Sequence, residues 1–121
     1  MSELTKTRFV LAVPNLEKSV GYYTSALGMD IDFTAPGWAF LSRGPVFRLM
    51  LGECSDAIPP SDLGDHSYFG YVTVSDIDAL FNEYAGRKIE FTQQLATKPW
   101  NMREFGIRTC DGHRIMFGQE L

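Results

Sequence analysis

The chain has 121 residues, is 45% apolar and 21% charged, and carries a formal net charge of -4. These are values of an ordinary globular domain with enough sequence for one core. An acidic balance without a clustered basic face speaks against a nucleic-acid partner, because neutralising phosphates takes concentrated Lys and Arg. No apolar run approaches a membrane span, Met1 to Arg8 is too polar for a signal peptide, and Cys54 and Cys110 lack metal-type spacing, so a cytoplasmic chain with reduced thiols is expected.

Arg8 to Val13 is a short apolar run stopped by Pro14, which suits a strand whose ladder cannot continue. Asn15 fits an N-cap, and Leu16, Val20, Tyr23 and Leu27 recur at helical spacing before Gly28 closes the helix. In Met29 to Phe33, Ile31 and Phe33 alternate with Asp30 and Asp32, the pattern of a half-buried strand. Pro36-Gly37 turns the chain, and Trp38 to Ser42 and Val46 to Leu51 read as two strands joined across Arg43-Gly44-Pro45. Residues 53–66, with Pro59, Pro60 and Gly64 and no periodicity, form a linker. Tyr68 to Val74 is the next strand. Ser75-x-x-Asp78 reads as a capping-box variant, Ile77, Leu80, Phe81 and Tyr84 make a helical face, and Gly86 ends it. Strands follow at Lys88 to Gln93, Arg103 to Thr109 and Arg114 to Gly118, with Asp111-Gly112 as the last turn.

The two halves repeat one another. Phe47-Arg48-Leu49-Met50-Leu51-Gly52 returns sixty-six residues later as His113-Arg114-Ile115-Met116-Phe117-Gly118. Val13, Leu16, Val20 and Tyr23 match Val74, Ile77, Phe81 and Tyr84, and Gly28, Ile31 and Phe33 match Gly86, Ile89 and Phe91. The single domain, residues 1–121, therefore divides into module 1 (about 7–52), the linker and module 2 (about 67–119), each ordered strand, helix, strand, strand, strand.

A duplicated unit of this order and length resembles the vicinal oxygen chelate superfamily, which includes glyoxalase I, extradiol dioxygenases and bleomycin resistance proteins. The phrases that carry the resemblance are Val13-Pro14-Asn15-Leu16-Glu17-Lys18-Ser19-Val20-Gly21-Tyr22-Tyr23, then Leu27-Gly28-Met29, then Asp111-Gly112-His113-Arg114-Ile115-Met116. It covers almost the whole chain. It implies an α+β fold in which two βαβββ modules form a curved mixed sheet around a cleft. Metal enzymes of the family place ligands on the first and last strand of each module, positions held here by Arg8, Phe69, Met50 and Met116. Guanidinium, phenyl and thioether groups are unsuited to the hard or borderline divalent ions such enzymes use. A chain without metal, cofactor or catalytic residues is the expectation.

Strand alternation aims Arg48, Met50, Arg114 and Met116 into the cleft, together with Arg8, Val10 and Ala12 and with Phe69, Tyr71 and Thr73, and leaves Leu49, Leu51, Ile115 and Phe117 under the helices. His66 and His113 fall on the opposite face, as solvated groups near a linker and a turn. Trp38, Phe40, Trp100, Met102 and Phe105 are candidate walls. Pro99-Trp100-Asn101-Met102-Arg103-Glu104-Phe105-Gly106-Ile107-Arg108 before Asp111-Gly112, and Trp38-Ala39-Phe40-Leu41 before Arg48-Leu49, are similar to the bleomycin resistance branch. That resemblance implies antibiotic resistance by drug binding in grooves of a homodimer, with Trp38, Phe40, Trp100 and Phe105 as walls and Glu104 as a polar contact. Arg8, Arg48 and Arg114 bring three cations to the trough, so acidic partners or an anionic ligand are expected.

The reading that results is a metal-free binder of a conjugated drug or metabolite. Its rivals are a glyoxalase-like lyase or dioxygenase with displaced ligands, and a metal-independent enzyme with Glu104 as base.

Overall fold

The computed structural model describes residues 2–121. Module 1 contains β1 (Phe9–Val13), α1 (Leu16–Ser25), β2 (Asp30–Ala35), β3 (Trp38–Arg43) and β4 (Phe47–Glu53); module 2 contains β5 (Tyr68–Thr73), α2 (Ile77–Ala85), β6 (Glu90–Lys98), β7 (Met102–Arg108) and β8 (Arg114–Glu120). A short 3-10 turn at Pro60–Leu63 interrupts the linker. The sheets are ordered β1-β4-β3-β2 and β5-β8-β7-β6. In each, the first strand runs parallel to the last and the other pairings are antiparallel. No helix among the described residues is long and apolar enough to cross a membrane.

Both helices start on side-chain caps that the repeat supplies twice over. Asn15 Oδ1 accepts from the Lys18 amide at 3.0 Å, and Glu53, just past the repeated glycine, accepts from the Leu16 amide at 2.9 Å. In module 2, Asp76 Oδ1 accepts from the Ala79 amide at 3.1 Å, and Gln119 takes the place of Glu53 with the Ile77 amide at 3.0 Å. First-turn N–H groups have no partner inside a helix, which is why these positions carry oxygen acceptors. The expected capping box at Ser75 and Asp78 is corrected: Asp76 is the cap, and Asp78 pairs with Arg103 at 3.0 Å.

One core lies between the modules. Leu11, Val13, Tyr23, Leu27, Leu41, Leu49 and Leu51 from module 1 meet Ile77, Tyr84, Phe105, Ile107, Ile115 and Phe117 from module 2, all buried. Phe47 and Phe117 touch edge to face across the seam, with centroids 5.9 Å apart. Polar groups close the same seam. Tyr84 Oη donates to the Leu27 carbonyl at 3.1 Å, Arg43 donates to that carbonyl at 2.9 Å and to both oxygens of Glu83, and Arg87 reaches the Ala26 carbonyl at 2.6 Å. The free carbonyls at the C-terminus of α1 are thus satisfied largely by the other module. With the helix-bearing sides facing inward, the opposite faces of the two sheets look outward.

Bulges change which side chains reach those outer faces. In β2 the register shifts between Ile31 and Phe33, so Phe33 lies beside Phe40 while Asp32 bonds Ser42 on the same face. The strand read as half-buried is exposed along almost its whole length. In β6 the first shift falls between Phe91 and Gln93 instead and a second between Gln93 and Ala96, and Phe91 packs into the core against Phe81 and Phe105. The matching phenylalanines of the two copies therefore point to opposite sides of their sheets, because one extra residue reverses the alternation.

Candidate functional site

The repeated glycine organises each outer face. In module 1, Gly52 is the cross-strand partner of Trp38, and a Cβ on it would lie 2.9 Å from two carbons of the Trp38 ring. The indole covers the glycine, 39% exposed, with Phe40, Phe33 and Met50 nearby on the same face. In module 2 the equivalent pair is Glu104 and Gly118. Here the space over the glycine is filled from β5 by Tyr71, whose hydroxyl donates to Glu104 Oε2 at 2.6 Å. One backbone gap thus admits an aromatic platform in one copy and a tyrosine–carboxylate pair in the other. Glu104 is 4% exposed. Burial, then the Glu104 carboxylate, holds the Tyr71 phenol well above its ordinary range, so the phenol keeps its proton and donates a hydrogen bond to Glu104.

The arginines expected in the trough have different fates. Arg8 lies 5.3 Å from the centroid of the Phe40 ring, donates to the Leu41 and Leu49 carbonyls at 3.2 and 2.9 Å, and pairs with Asp32 at 3.2 Å. The Ser42 hydroxyl and Arg8 together hold the Asp32 carboxyl below its usual range. Arg48 is half-buried and close enough to Asp32 to favour its charge. Arg114 is 7% exposed and donates to the Gly64 carbonyl.

Met116 lies over Gly106, with its sulfur 2.7 Å from where a Cβ would stand. Met102 is half-buried at the start of β7, and Trp100 stands 60% exposed on the β6–β7 turn. That turn is shaped by Asn101, whose φ of 61° is a conformation asparagine accepts more readily than most residues.

Three expectations are corrected. Phe105 is fully buried against Phe81, Tyr84 and Phe117, because alternation that turns Glu104 to the cleft turns Phe105 to the core. Phe69 sits in a bulge between Tyr68 and Gly70 and packs on Phe9 and His113 at the module junction; Tyr68 takes its place beside Tyr71 on the cleft face, a displacement that alternation alone could not reveal. His113 is buried rather than solvated, its Nδ1 without a partner, whereas His66 is exposed as expected.

The positions at which family enzymes hold metal do not suit one here. Arg8 is committed to Asp32 and two carbonyls, Phe69 is turned to the junction, and Met50 and Met116 offer only thioethers. Among the described residues no three His, Cys, Asp or Glu side chains come together as a ligand set.

Two βαβββ modules sharing one core, with outward sheet faces carrying a platform and a buried acid, define a duplicated cleft-forming protein of the α+β class. The chain belongs to the Glyoxalase/Bleomycin resistance protein/Dioxygenase superfamily, whose family model matches residues 7–117. No curated protein sequence matched it. Among solved structures, a glyoxalase/bleomycin resistance protein/dioxygenase from Nocardioides is 27% identical over 100% of this chain and 86% of that one, with a TM-score of 0.74. The bleomycin-binding protein of bleomycin-producing Streptomyces verticillus, complexed with copper(II)-bleomycin, is 23% identical over 97% of each chain, with a TM-score of 0.73. TnmS3, an antibiotic binding protein from Streptomyces sp. CB03234, is 20% identical over 99% of this chain and 100% of that one, with a TM-score of 0.74.

Proposed function

We propose that this protein binds a conjugated small molecule, a drug or metabolite, on the outer faces of its sheets, without metal and as a cytoplasmic homodimer. The observation that carries the reading is the Trp38 indole laid over Gly52 with Phe33, Phe40 and Met50 around it. A half-exposed aromatic surface of this kind gives stacking area at little entropic cost. Val10, Phe33 and Trp38 are exposed together on the outer face of the first sheet in the single chain. Apolar side chains gathered in this way favour cover by a ligand and a second copy. Likeness in fold to a bleomycin-binding and an antibiotic binding protein supports the same reading.

Titration of tryptophan fluorescence with a panel of polycyclic antibiotics tests it. Saturable quenching that disappears in Trp38→Ala, with sedimentation showing two chains per particle, is expected. Absence of binding across the panel overturns it. Protein purified without chelator is expected to lack stoichiometric metal; one metal per chain together with metal-restored turnover would establish the lyase or dioxygenase alternative instead.

A further inference from the structure

Register across the second sheet sets Tyr68, Arg114, Arg108 and Glu90 side by side on β5, β8, β7 and β6. Two arginines are therefore direct cross-strand neighbours, an arrangement that like-charge repulsion disfavours. Glu90 answers only one of them. It is ion-paired with Arg108, whereas Arg114 takes part in no ion pair among the described residues. The guanidinium of Arg114 is nonetheless nearly out of water, held by a single bond to the Gly64 carbonyl.

Burying a guanidinium without a counter-charge is strongly unfavourable. The unsatisfied cation also faces open space. It lines a depression of about 510 Å³ shared with Tyr68, Thr92, Gln93 and Arg108. Asp65, the other acid there, is exposed and pairs with His66 at 3.1 Å. The Tyr68 and Thr92 hydroxyls are 3.2 Å apart. Their mutual bond uses one hydroxyl hydrogen and leaves the second for an acceptor on a ligand.

We propose that Tyr68, Arg114 and Arg108 form a subsite for an anionic group of the bound molecule, a carboxylate, sulfonate or phosphate. The proposal rests on the cleft reading above and adds charge to it: the ligand is a conjugated anion, with its acid toward Arg114.

Two dyes with the same ring system separate the proposal from the reading beneath it: anilinonaphthalene sulfonate, which is anionic, and phenylnaphthylamine, which is uncharged. The full-length protein is expected to bind the sulfonate at least about tenfold more tightly, the worth of one charge-assisted hydrogen bond. Arg114→Gln is expected to erase that preference while leaving phenylnaphthylamine affinity unchanged, and Arg114→Lys to retain most of it. If Arg114→Gln does not fold, Arg108→Gln, on a partly exposed side chain, carries the same comparison. Equal affinity for the two dyes in the wild-type protein, or a preference untouched by both arginine substitutions, overturns the subsite but leaves the cleft reading standing. Failure of both dyes to bind the wild-type protein removes both readings.

Discussion

Replacing Gly118 with alanine puts the role of the repeated glycine to a direct test. The residue is not in the left-handed region, so alanine meets no backbone penalty, and any destabilisation is steric. The added methyl would press on the Tyr71 hydroxyl and come within 2.7 Å of the ring carbon Cζ, far inside carbon contact distance. Tyr71 must leave, which breaks the 2.6 Å bond to Glu104 and strands a carboxylate with almost no solvent. A hydrogen bond to a charged acceptor contributes about 1.5–3 kcal/mol. With a urea m-value of about 1.5 kcal/mol/M, the midpoint should fall by about 1–2 M. The same substitution made in Tyr71→Ala should reverse sign, because alanine in a strand is favoured over glycine by about 0.5–1 kcal/mol once nothing occupies the gap. Urea unfolding followed by circular dichroism gives the four midpoints of this double-mutant cycle. Equal destabilisation in both backgrounds would refute the steric account.

Two further outcomes follow from the surroundings of ionisable groups. Burial depresses the His113 pKa below the ordinary 6.5, so the unfolded chain takes up a proton first; stability should be level above that value and fall as pH drops below it, and His113→Phe should flatten this acid limb in urea midpoints measured against pH. Burial and the neighbouring Asp111 push the Cys110 thiol up to about 12, so iodoacetamide at neutral pH should modify Cys54 at least about tenfold faster than Cys110, and Asp111→Asn should narrow the difference.

How much of this was legible beforehand depends on periodicity. Leu49, Leu51, Ile115 and Phe117 lie under the helices, as alternation requires, and the helix and strand order emerges from apolar spacing and turn residues alone. What alternation missed are the places where a strand carries one residue too many. The bulge at Phe69 moves Tyr68 into the cleft, and the bulge at Ile31 turns Phe33 outward while its counterpart Phe91 goes inward; a bulge leaves no periodic trace in a single sequence. Phe105 was open to correction from the start, since its parity opposes that of Glu104. The use of Gly52 and Gly118 as gaps was visible only as a glycine repeated in both copies, because which side chain fills each gap depends on whether the neighbouring strand brings Trp38 or Tyr71 to it.

The carbonyls at the end of α1 have a consequence for how the molecule is made. Leu27 takes one of its two donors, Tyr84, and Ala26 takes Arg87 from the second module, and Phe47 finds its packing partner in Phe117. A nascent chain that has released only the first module has half a core and an open helix end. It must wait for its twin, so synthesis of the last strand completes folding of both halves in one cooperative event.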